Sequence, residues 1–269
     1  MKGPHLNKWL PLTAQDGGVQ WLKYSFGPGT ANSLAAKLRD ETWLVVSPPS
    51  GAPAFVYDAL DQQGGVSALL APNAYHNKGQ RAWRARFPRA VSYAPTGAHS
   101  RLSNKTRGVE YHPIEELAQK LWPARVLLPD GMKSPDIMLQ IPTQAGFVWW
   151  MGDQFSNSDV SDQRWLLRLL AGFAGSGLGY RCNSKPELVY VRDRAAWLGS
   201  IRAALEELPP QSLCPRMAIQ CLMTPWSARA ALSTPSTTRG HLNFAGPEDA
   251  TRAQSSVLKG ESLCFDTAG

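Results

Sequence analysis

The segment that most constrains this chain is Val66–Gln80, VSALLAPNAYHNKGQ. Val66–Ala71 is an apolar run held between Gly64-Gly65 and Pro72. A run of that length between breakers fits a strand covered on both faces. Pro72 has no N–H to give to a sheet ladder and ends it. Asn73 accepts turn geometry. From Asn77 the pattern becomes helical, with Ala82, Trp83 and Phe87 on one side and Lys78, Arg81 and Arg84 on the other. The loop in between carries His76 and leaves the carboxyl end of a buried strand, which is where sites collect in α/β layers. The plainer reading of His76 is a residue that closes a turn.

The surroundings fit such a layer. Ser33–Leu38 and Thr42–Ser47 flank the polar pair Asp40-Glu41, as the arms of a hairpin do. Ala54–Gln63 reads as a short helix with Phe55, Ala59 and Leu60 on its packed side, and Ala90–Tyr93 as a further strand. The order helix–strand–loop–helix–strand from Val56 to Tyr93 argues for parallel pairing. Glu115–Leu121, opened by Pro113, is a brief helix. Ala124–Leu128, Ile137–Ile141 and Phe147–Met151 follow as three strands of an antiparallel meander, with Trp149 and Trp150 facing opposite layers. Helices are expected over Asp162–Phe173, Asp193–Leu208 and Pro225–Leu232, and a last strand at Ser212–Cys214. His5–Gly18 reads as an irregular arm. Residues 1–232 make one domain; residues 233–269, polar and rich in Ser, Thr and Gly, read as a poorly ordered tail.

Composition limits the function classes. The 269 residues, 43% hydrophobic and 18% charged, suffice for one domain with a full core. No apolar run is long enough to span a bilayer, and Met1–Pro11 lacks the apolar core of a secretory signal, so a cytoplasmic location is expected. Cys182, Cys214, Cys221 and Cys264 have neither zinc-knuckle nor redox spacing and read as free thiols. The net charge of +7 is unevenly spread. No acidic residue stands between Asp61 and Glu110, an interval holding Lys78, Arg81, Arg84, Arg86, Arg89, Arg101, Lys105 and Arg107. This reads either as a positive surface beside the His76 loop that steers a small anionic molecule, or as the solvated face of a basic protein. Nucleic acid is disfavoured as a partner, because Trp83 and Phe87 are spaced for a helix core rather than for stacking on bases. There is no P-loop and no GxSxG, and the glycines of Gly175–Gly179 follow an expected helix rather than a strand. Nothing in the sequence sets an oligomeric state.

Three short blocks carry a resemblance: Ala71-Pro72-Asn73 with His76, then Gly152-Asp153-Gln154-Phe155-Ser156-Asn157, then Val191-Arg192-Asp193-Arg194. From about Trp21 to Leu213 the chain resembles an uncharacterised branch of the metallo-β-lactamase superfamily. The resemblance implies an α+β fold, a four-layer αββα sandwich. Typical relatives hold one or two metal ions with histidines and a bridging Asp, and the ion makes a hydroxide nucleophile from water. Carried across residue by residue, His76 matches the last histidine of the HxHxDH run and Asp153 the bridging carboxylate. Asn73 and Tyr75 stand where relatives have a histidine and an aspartate, and Met132–Ser134 offers no histidine where another is usual. The matched positions cannot form a two-metal centre, unless His99 and His112 are recruited. The resemblance therefore implies either a hydrolase of an anionic substrate with one divalent ion (zinc or iron) on His76 and Asp153, or a metal-free binding or scaffold protein of the same fold. Asn73, Lys78 and Arg81 are the candidate substrate-binding residues. For Asp153 the alternative is a turn aspartate after a strand.

Relatives usually end a strand near Pro215–Met223 with His-Gly-Asp, whereas this chain has no histidine between His112 and His241. Among the codons the genetic code permits for Pro215–Met223 is the set CCG CGC ATG GCG ATC CAG TGT TTG ATG. Read two bases further on, they give Ala-His-Gly-Asp-Pro-Val-Phe-Asp. The segment is thus what a displaced reading frame would produce. Sequencing the gene is expected to show codons of this pattern; other codons there, or an uninterrupted frame in close relatives, would end the idea.

Overall fold

The computed structural model describes residues 6–13, 16–26, 30–121, 123–143, 146–153, 155–158, 179–182 and 190–207. The expected helices at Asp162–Phe173 and Pro225–Leu232, the strand at Ser212–Cys214, the segment Pro215–Met223 and the tail lie outside them.

Seven strands form the first sheet in chain order: β1 (Leu10–Thr13), β2 (Asp16–Ser25), β3 (Thr30–Lys37), β4 (Trp43–Val46), β5 (Val66–Leu70), β6 (Val91–Ala94) and β7 (Tyr111–Pro113). Pairing is antiparallel from β1 to β4 and parallel from β4 to β7. The change follows from the connections. A tight turn joins β3 to β4, whereas α1 (Ala54–Asp61), α2 (Gln80–Arg86) and α3 (His99–Thr106) occupy the later crossovers. After α4 (Ile114–Leu121), the strands β8 (Arg125–Leu127), β9 (Met138–Thr143) and β10 (Gly146–Met151) make an antiparallel sheet in the order β10-β9-β8. β11 (Phe155–Ser158) pairs with β12 (Gly179–Cys182), and α5 spans Arg194–Glu207.

Side-chain alternation assigns the layers. Along β4, Trp43 and Val45 face α1 and α2, packing with Val56, Leu60, Trp83 and Phe87. Leu44 and Val46 face the other way, joining Ala68 and Leu70 of β5, Leu139 and Ile141 of β9, and Val148 and Trp150 of β10. Met138, Trp149 and Met151 pack outward on Trp197, Ile201 and Leu205 of α5. The strict period of two thus yields helix, sheet, sheet, helix, with both sheets covered on each face. Each large apolar side chain so enclosed stabilises by roughly 1.5–3 kcal/mol.

Five elements were not legible beforehand, β11 and β12 among them. β1 lies in the expected irregular arm, where Trp9 and Leu12 are buried. β7 has only three residues, and α3, HSRLSNKT, is too polar for a periodic signal; its buried residues are Leu102 and Thr106. Both edges of the large sheet carry a proline, Pro11 in β1 and Pro113 in β7, which blunts pairing with other chains. The packed faces of α1 and α2 also differ from expectation. Val56 and Leu60 are buried while Phe55 is 58% exposed, and Ala82 is exposed where Gln80 is buried. Among the described residues no helix is long and apolar enough to cross a membrane. Urea unfolding should separate the two faces of α1: Leu60→Ala is expected to lose about 2–5 kcal/mol, and Phe55→Ala to stay within about 0.5 kcal/mol of the parent.

Candidate functional site

The carboxyl ends of β4 and β5 meet the amino end of β9 and the end of β10 at one point. Pro72 ends β5, and its carbonyl accepts the Ile137 N–H at 3.1 Å, while Asn73 bridges to Asp136 through the backbone. The loop of one sheet is thereby stitched to the start of the other. Asn73 is fully buried. Its amide nitrogen donates to Asp136 Oδ1 at 2.8 Å and to Asp153 Oδ2 at 3.1 Å, and its oxygen accepts the Tyr75 N–H at 2.8 Å. Both N–H bonds of one amide are therefore spent on two carboxylates. Asp136, also fully buried, rests against the strand end at Gly152, where a Cβ would stand 2.0 Å from its Oδ1. Only glycine admits the carboxylate there.

His76 lies between the halves. Its Nδ1 is 2.5 Å from Ser47 Oγ and its Nε2 is 3.0 Å from Asp153 Oδ1. Trp150 covers it edge-on, with ring centroids 6.3 Å apart. Ser47 ends β4 with φ +53°, a left-handed conformation uncommon outside glycine. Tyr190 donates its hydroxyl to Asp153 Oδ2 at 3.1 Å. Its own carbonyl accepts Lys133 N–H at 2.6 Å and Ser134 N–H at 3.2 Å. The side chains of His76 and Asp153 are 11% and 21% exposed.

Charge follows from this wiring. Burial disfavours the imidazolium, but the Asp153 carboxylate beside it outweighs that and holds the His76 pKa above its ordinary value. Burial would likewise raise Asp153. The His76 charge, with hydrogen bonds from His76, Asn73 and Tyr190, more than offsets it and keeps the carboxyl below its usual range. Burial, then the Asp153 charge, pushes Tyr190 far above an ordinary phenol, so it remains an O–H donor. When His76 carries its second proton the two form an ion pair, and three groups, His76 Nε2, Asn73 Nδ2 and the Tyr190 hydroxyl, converge on one carboxylate.

This donor set does not fit a metal ion. Asn73 and Tyr190 turn hydrogens, not lone pairs, toward Asp153, and both ring nitrogens of His76 are engaged. Among the described residues no group of three or more His, Cys, Asp or Glu could hold an ion. His99 and His112 are occupied elsewhere, with the Ala94 carbonyl at 3.0 Å and Glu116 at 3.1 Å. Nor does the chain Ser47–His76–Asp153 make a nucleophile, although its connectivity is that of a hydrolytic triad. Ser47 is 2% exposed. The following Pro48 and Pro49 have no N–H to form an oxyanion hole.

Of the residues read from sequence, His76, Asp153 and Asn73 come together. Asn73 is enclosed as the clamp on the two acids. Lys78 is exposed with its ammonium 5.7 Å from the Phe26 ring, and Arg81 lies on the exposed side of α2. Sequence reasoning missed Ser47, Asp136 and Tyr190. The usable signal was a polar residue at the end of an apolar strand, as in Val46-Ser47, or at its start, as in Asp136-Ile137.

No family model matches the chain, and no curated protein matches it. Solved structures do. The metallo-β-lactamase FIM-1 from Pseudomonas aeruginosa, in its mono-zinc form, superposes with TM-score 0.51 at 13% identity, over 83% of this chain and 95% of that one. The NDM_FIM-1-like metallo-β-lactamase from Erythrobacter litoralis, also mono-zinc, gives 0.50 at 16%, over 86% and 97%. DIM-1 metallo-β-lactamase gives 0.50 at 13%, over 84% and 97%. The chain thus has the metallo-β-lactamase fold, an α+β sandwich of the kind the short motifs imply.

The ion pair makes stability depend on pH in two directions. The raised His76 contributes fully below its unfolded value of 6.5 and loses this as pH climbs through the folded pKa. The lowered Asp153 contributes above its unfolded value of 3.8 and loses this as pH falls through the folded pKa. The stability gap between the parent and Asp153→Asn should therefore be widest between those values. NMR titration of the imidazole should find His76 above 6.5 in the parent and lower in the variant.

Proposed function

We propose that this chain is a metal-free binding protein on the metallo-β-lactamase fold, in which a buried ion pair stands where relatives hold metal. The observation that supports the reading is saturation. Both nitrogens of His76 and both oxygens of Asp153 already have protein partners. An ion would have to break at least the bond between them and face the N–H of Asn73. Losing hydrogen bonds to a buried carboxylate costs about 1.5–3 kcal/mol each. Catalytic zinc sites use about three protein ligands, and the matched positions supply two.

One observation favours a second reading, a hydrolase of an anionic substrate with a single zinc or iron ion. The 3.0 Å separation of His76 Nε2 and Asp153 Oδ1 is one that two ligands of the same ion could share. The basic interval from Lys78 to Arg107 suits a small anionic ligand under either reading. A cytoplasmic location agrees with four cysteines that lack a disulfide pattern.

Metal analysis of protein purified without chelator decides between the two. The binding reading expects less than about a tenth of an equivalent, unrestored by added zinc or iron. A full equivalent that disappears in His76→Ala would overturn the metal-free reading and leave the one-metal reading standing.

A further inference from the structure

The mouth of the site is built from α3 and the Tyr75 loop. α3 is pinned at its start. The His99 ring nitrogen lies 3.0 Å from the Ala94 carbonyl at the end of β6, and the preceding turn packs Gly97 against Pro135, next to Asp136. Leu102 and Thr106 hold the buried side of the helix. Arg101 is on the exposed side, and its guanidinium carbon sits 4.5 Å from the centre of the Tyr75 ring. Tyr75 is 44% exposed and meets Tyr190 edge-on, with centroids 5.6 Å apart. Tyr190 in turn touches Asp153. Arg101 is therefore two rings away from the buried pair.

Three other cations of the basic interval are engaged away from this loop. Arg86 is bound to Asp58 and Asp61, Arg84 to the Pro88 carbonyl, and Lys78 lies over Phe26. Arg101 has no carboxylate partner among the described residues. Stacking on an aromatic face fixes a guanidinium while leaving its in-plane N–H fork open, and that fork matches the two oxygens of a carboxylate or phosphate. The acids behind it have partners of their own: Asp153 faces His76, and Asp136 accepts from the Asn73 amide.

We propose that Arg101, carried on Tyr75, is the anion-recognition residue of this site, and that the ligand is a small molecule presenting a carboxylate or phosphate group. The inference deepens the binding reading above and rests on it. Both classes share the chemistry of a planar or tetrahedral oxyanion, and separate probes distinguish them.

The test uses the full chain at low ionic strength, with metal content measured on the same sample. Benzoate and inorganic phosphate are titrated separately by NMR against the parent, Arg101→Gln, Tyr75→Leu, and the double variant Lys78→Gln/Arg81→Gln. The parent is expected to bind at least one probe, more weakly as salt rises. Arg101→Gln is expected to weaken that binding about tenfold, the loss of one charge-assisted fork. Tyr75→Leu, which removes the platform, should weaken it in the same direction, while the double variant, which removes the two cations read from sequence as substrate-binding, should weaken it less than Arg101→Gln does. The probe that binds names the class. A parent that binds neither probe, or Arg101→Gln binding as the parent does, overturns the inference; so does loss in the double variant alone. A metal-loaded sample overturns the binding reading whatever the anion result, so the two failures are told apart.

Discussion

The structure depends on one amide. Asn73 leaves the central parallel strand, is closed off from solvent, and gives one N–H to each of two carboxylates from the opposite half of the molecule. An aspartate at that position could not do this, since its carboxylate has no N–H to give. With the acids so held, His76 sees a carboxylate at a set distance and takes a charge despite its burial. The interactions are mutually conditional: remove the amide, and two buried negative charges face each other across a gap.

The scaffold makes this affordable. Three apolar interfaces enclose the sheets on every face, and five tryptophans are among the most fully buried side chains. A core of that size can hold a strained Ser47 and a polar cluster at one end of the sheets without losing the fold.

The fold was more legible than the site. Strand β5 announced itself by an apolar run between glycines and a proline, and the meander β8–β9–β10 by its spacing. Elements whose identity comes from their neighbours stayed hidden: β1 and β7 exist because β2 and β6 offer them free edges, and α3 because the Ala94 carbonyl and Pro135 hold its start. In the site, His76 and Asp153 stood out as residue types with chemistry. Asp136 and Tyr190 did not, because their meaning lies in what they touch across long stretches of chain. Asn73 was noticed, but its bonds to the two acids were not, since spacing says nothing about which way an amide faces. Phe55 and Ala82 show the same limit: periodicity finds a helix sooner than it finds the side that packs.

The adjacent indoles of β10 have a consequence for how the chain can change. Trp149 belongs to the layer beneath α5 and Trp150 to the space between the sheets, and Asp153 is reached three residues after the second ring. Strand, turn and carboxylate thus form a counting device. One residue inserted or deleted inside the strand would exchange the two indoles between layers and swing the acid away from the imidazole in the same step. The length of this segment is held as firmly as Gly152 and Asp153 at its end.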